Sequence, residues 1–98
     1  MKADAIVQIE LLPTEDGGRS GATPSDKFGC PLEIGSKFYD CRFDLTASGP
    51  LRPGHSSVVP VAFLFPEDVI PLLSEGTTFK LWEGRTIGTG RIILISSV

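Results

Sequence analysis

Histidine, tryptophan, tyrosine and methionine occur once each, and cysteine twice. These scarcities remove whole classes of chemistry. A tetrahedral zinc site takes four Cys, His or carboxylate ligands at short spacing. His55 is the only imidazole, and Cys30 and Cys41 form no C-x-x-C. Two thiols are also too few for the disulfide lattice of a small secreted scaffold. A lone histidine leaves no recognisable base for a thiol nucleophile. Cys30 and Cys41 therefore read as reduced, structural residues, and His55 as a solvated turn residue beside Gly54. No catalytic residue, cofactor or metal ligand is expected.

Positive charge is in short supply as well. Nine Lys and Arg stand against twelve Asp and Glu, for a net charge of −3. The long-range field disfavours phosphate backbones. No run nears the roughly 18 apolar residues of a membrane span. Met1-Lys2-Ala3-Asp4 runs straight into a strand-like segment rather than an apolar leader. The expectation is a cytoplasmic domain without membrane contact. The G-x-x-x-x-G-K-[ST] phosphate loop is missing, and the glycines from Gly84 to Gly90 open no helix, so no nucleotide site is expected. No segment of about ten residues carries helical periodicity, and neither heptads nor internal repeats occur.

Turn residues, by contrast, are plentiful. Eleven glycines and eight prolines punctuate 98 residues that are 41% apolar. That combination points to one domain of many short strands, spanning 1–98. Ala5 to Leu12 alternates, with Val7, Ile9 and Leu11 on one face. Residues 13–29 are Gly, Ser, Thr, Asp and Pro-rich and read as a long loop. Cys30 to Ile34 is a weak strand limited by Pro31. Lys37 to Leu45 puts Tyr39, Cys41, Phe43 and Leu45 inward and Asp40, Arg42 and Asp44 outward. Ser57 to Phe65 puts Val59, Val61, Phe63 and Phe65 inward. Pro66 to Glu75 fits about one helical turn. Thr78 to Trp82 has Phe79 and Leu81 inside and Trp82 on the polar face, an interface position. Thr86 to Ile95 is the last strand, with Gly88 and Gly90 sharing a face. Ile6, Leu12, Val58, Leu64, Ile92 and Leu94 fall opposite the core face. These strands fit a small closed barrel.

Several motifs carry a resemblance. Glu83-Gly84-Arg85-Thr86-Ile87-Gly88-Thr89-Gly90 resembles the E-G-G-R-T-V-G-A-G segment of elongation factor Tu. Glu15-Asp16-Gly17-Gly18-Arg19 is similar to the E-E-G-G-R loop of its third domain. Lys37-Phe38-Tyr39, Asp44-Leu45-Thr46 and Arg52-Pro53-Gly54-His55 stand, in order, where that family has Q-F-Y, D-V-T and M-P-G-D. The family's hairpin is one glycine longer, Ser20 replaces a histidine, and Cys41-Arg42-Phe43 replaces R-T-T. The resemblance covers about Ala5 to Ile95. It implies an all-β, six-stranded antiparallel β-barrel, like the C-terminal domain of that factor. It also implies that loops 15–20 and 83–86 meet at one end, with Arg19, Glu83 and Gly84 on the side that faces tRNA.

The expected function is a non-catalytic module that docks a protein partner or a second copy. Arg19, Glu83, Gly84 and Arg85 form candidate binding loops, and Trp82 and Arg42 a candidate interface. A carboxylate or a backbone edge is the expected ligand of Arg19 and Arg85, since guanidinium makes bidentate pairs. The alternative is a translation accessory holding tRNA through the same loops. A small thiol enzyme using Cys30 or Cys41 is the third reading.

Overall fold

Period-two alternation becomes six antiparallel strands in the structure, a computed structural model that describes residues 2–96. They are β1 (Ala5–Leu11), β2 (Lys27–Ile34), β3 (Lys37–Asp44), β4 (Ser56–Phe63), β5 (Thr78–Trp82) and β6 (Thr86–Ile95). They close into a barrel in the order β1-β4-β3-β2-β5-β6, with β6 returning to β1. Closure consumes the sheet edges that an open six-stranded meander would leave for aggregation. The inner faces interdigitate in one core: Val7, Ile9, Leu32, Phe43, Val59, Val61 and Leu81 are all essentially buried. A short helix, α1 (Pro66–Val69), and a 3-10 turn over Ile70–Leu72 bridge β4 to β5 and bury Val69 at one end of the barrel. Proline opens α1, where a missing N–H is harmless, and Pro71 lies in the 3-10 turn that follows.

Three expectations are corrected by the structure. First, β2 is neither short nor weak. It begins at Lys27 and pairs with β3 residue for residue, from Lys27 opposite Asp44 to Ile34 opposite Lys37. Long-range pairing overrides poor local propensity here. Pro31 is accommodated because β2 meets β5 only through Leu32 and Glu33, which leaves the β5 flank unpaired at the proline. Second, Phe65 is not in the core. The chain leaves the sheet after Phe63, Phe65 becomes the residue preceding α1, and it is 58% exposed.

Third, Ile92 is buried, not outward. In β6 the register skips one residue against β5, between the Leu81–Gly88 and Trp82–Thr86 pairs. It skips another against β1, between Val7–Ile92 and Ile6–Leu94. Each bulge reverses the alternation. Between them Gly88, Gly90 and Ile92 face inward, while beyond them Ile93 and Leu94 are exposed. Gly90 lies opposite Phe79. A Cβ on Gly90 would sit 2.5 Å from the Phe79 ring and 2.7 Å from the Gln8 carbonyl oxygen. The ring therefore fills the space that the absent side chain leaves.

Candidate functional site

The β1–β2, β3–β4 and β5–β6 connections converge at one end of the barrel and pack on one another. Thr23 is buried there. Its N–H donates to the Leu51 carbonyl and its hydroxyl accepts from the Leu51 N–H, both at 2.9 Å. Leu12 N–H donates to the Ile87 carbonyl, and Gly54 N–H to that of Leu11. The end is thus plugged by ordered loops.

The four loop residues singled out from the sequence do come together here. They are occupied with the chain itself. Arg19 Nη1 donates to both carboxylate oxygens of Glu83, at 2.7 and 2.6 Å. Its guanidinium also stacks over the Phe28 ring, 5.0 Å from the centroid, sealing the point where β2 extends past β5. Arg85 donates from Nε to the Gly17 carbonyl at 2.8 Å and from Nη2 to the Gly18 carbonyl at 3.0 Å. Gly84 forms the tip of the connection between β5 and β6, where Glu83 N–H donates to the Arg85 carbonyl. A carboxylate and a backbone edge are the ligands of these arginines, and both are intramolecular.

The local sequence is what permits this. A 3-10 turn over Thr14–Asp16 ends at Gly17, which takes a left-handed φ of 94° that costs a side-chain-bearing residue free energy. Gly18 is pressed against β1. A Cβ there would fall 2.1 Å from the Leu12 carbonyl oxygen. Only with glycine at both positions can their carbonyls turn toward Arg85. Glu15-Asp16-Gly17-Gly18-Arg19 and Glu83-Gly84-Arg85 are therefore two halves of one clasp.

The candidate interface lies elsewhere, on the outer barrel wall. Phe38 on β3 and Trp82 on β5 reach across β2 to pack with ring centroids 5.3 Å apart, tilted by 59°. Phe38 is 50% exposed and Trp82 half-buried. Arg42 is exposed on the same outer face of β3, four residues beyond Phe38. Sequence reading identified Trp82 and Arg42 but missed Phe38, whose parity opposite Tyr39 was the available signal. Ile6 of β1, set between Leu94 and Pro60 in the ladder, extends apolar surface on the other side of the barrel. Val58, Leu64 and Leu94 are exposed. At the end of β3, Asp44 accepts hydrogen bonds from the Thr46 hydroxyl and N–H at 2.7 and 3.0 Å. Those bonds, the hydroxyl's foremost, hold its carboxyl below the ordinary value.

Cys30 and Cys41 are buried and directly opposite each other across β2 and β3. The Cys41 thiol donates to the Cys30 carbonyl at 3.3 Å. Hydrogen bonding to the Cys30 side chain and then burial push the Cys41 thiol far up. The pairing follows from the two-residue turn at Gly35 and Ser36, which sets Ile34 opposite Lys37 and so Cys30 opposite Cys41. His55 is exposed, and its carbonyl accepts from Leu11 N–H.

Neither a family model nor a curated protein sequence matches this chain.

Proposed function

We propose that this chain is a non-catalytic binding module of the kind built by the C-terminal barrel of elongation factor Tu. It docks a protein partner or a second copy of itself through the outer wall of β3, β2 and β5. The observation that carries this reading is the Phe38–Trp82 pair held in water. Burying the exposed half of Phe38, on the order of 100 Å², would return about 2–3 kcal/mol. Tryptophan and arginine dominate interface energetics, and Arg42 shares this wall.

The RNA reading draws on the resemblance of loops 15–20 and 83–86. Against it, Arg19 and Arg85 already hold a carboxylate and two carbonyls. A phosphate contact would have to replace those bonds, so RNA binding is expected to be weak.

Sedimentation velocity over a concentration series, paired with affinity capture of partners, tests the docking reading. The wild-type chain is expected to self-associate or retain a specific protein, and Trp82→Ala with Phe38→Ser is expected to lose that association while keeping its circular dichroism. A wild-type chain that stays monomeric and captures nothing beyond what the double variant captures would refute the reading.

A further inference from the structure

The hairpin of β2 and β3 places the chain's two thiols in one cross-strand pair. Residues directly opposite in an antiparallel ladder have Cα atoms about 4.5 to 5.5 Å apart, depending on the pair type. A disulfide spans Cα separations of about 4.4 to 6.8 Å. Either kind of ladder position therefore suits a bridge without backbone movement. The Cys41 thiol already leans across the ladder, donating to the Cys30 carbonyl at 3.3 Å. Both cysteines are buried, but only the barrel wall separates them from a groove on the outer surface. A groove between β2, β3 and β4, bordered by Gly29, Pro31, Asp40, Arg42, Ala62 and Leu64, has both cysteines in its lining. Gly29 contributes no side chain to cover it.

We propose that Cys30 and Cys41 form a redox modification site, a dithiol that a small hydroperoxide converts into a disulfide closing the β2–β3 hairpin. Cys30 acts first, because the Cys41 proton is held by the Cys30 carbonyl. Cys30 gives its proton to water. Its sulfur then attacks the peroxide, the O–O bond breaks, and the leaving oxygen departs as water or an alcohol. This leaves a sulfenic acid on Cys30. The Cys41 sulfur next attacks the Cys30 sulfur, the S–O bond breaks, and hydroxide leaves with the Cys41 proton as water. Two thiols are oxidised to one disulfide while both peroxide oxygens are reduced. This inference is independent of what the outer wall binds.

The test treats the folded full chain with hydrogen peroxide and reads intact mass, thiol count and a tryptic map. Cleavage after Lys27, Lys37 and Arg42 separates the cysteines into peptides 28–37 and 38–42. The expected result is loss of two hydrogens from the intact mass, disappearance of both thiols, and one species linking those two peptides. Dithiothreitol should reverse it, and the oxidised chain should unfold at a higher guanidinium midpoint. In Cys41→Ser the sulfenic acid on Cys30 should persist and be captured by dimedone. Should that variant not fold, the wild-type peptide map decides. A stable acid on one cysteine of the wild-type chain, an intermolecular bond, or thiols that survive peroxide while the urea-unfolded chain forms the bridge would each overturn the proposal.

Discussion

Replacing Arg85 by methionine keeps an unbranched stem and deletes both hydrogen bonds that the guanidinium makes to Gly17 and Gly18. A net hydrogen bond from a charged donor contributes about 1.5–3 kcal/mol when buried. Arg85 is exposed, and only the bond to Gly18 is partly buried. Water replaces much of what is lost, so the pair is worth about 1–2 kcal/mol after discounting for solvent. In a domain of this size each kcal/mol moves Tm by roughly 4–8 °C, which sets the expected fall at about 5–15 °C. The loosening should be local first. The N–H groups of Asp16 and Gly18 both donate to the Pro13 carbonyl inside the clasped loop. Their exchange with deuterium should accelerate while core amides of β1 remain protected against all but global unfolding. Thermal unfolding and amide exchange check both halves. A variant with unchanged Tm and unchanged Gly18 exchange would refute the clasp and return Arg85 to the role of an outward-facing binding residue.

Gly90→Ala forces a methyl group into the Phe79 ring and the Gln8 carbonyl; chemical denaturation should show a loss of about 1–3 kcal/mol or more. Gly21→Ala, with open space around it, should stay within about 0.5 kcal/mol of wild type in the same assay. Because the Asp44 carboxyl is lowered from its ordinary 3.8, its contribution to stability is present above that value and is lost as pH falls through the lower folded value. An NMR titration should find its midpoint below that of an ordinary aspartate, moving back upward in Thr46→Val. A mobility-shift titration with bulk tRNA should show weak or undetectable binding at physiological salt, and a submicromolar shift abolished by Arg19→Glu would show that RNA is the partner class.

The motifs that carry the resemblance have a physical account independent of any ligand. Gly17 is needed for a left-handed turn end and Gly18 for close approach to Leu12, while Arg19 and Arg85 fasten the loop to the last hairpin. That the two loops meet was legible from their likeness to a known pair of loops. That their arginines are consumed internally was not. A guanidinium's partner depends on which carboxylate or carbonyl the fold brings within 3 Å. Here those partners lie 64 and 68 residues away along the chain. Trp82 was legible as an outward-facing residue from its parity within a short strand. Its neighbour Phe38 required knowing that β2 separates β3 from β5.

The sequence by itself determined that this is an all-β domain of six short strands, and which faces of β1, β3 and β5 turn inward. Alternation is a property of consecutive residues, and Val7, Ile9 and Leu11 or Phe79 and Leu81 declare it locally. Only the tertiary structure decided the start of β2 and the inward face of β6. Both are matters of register. β2 is held as a strand by its ladder to β3. The bulges of β6 arise because it must match β5 on one side and β1 on the other. Such alignments are constraints that act between strands and are written in no single strand of the chain.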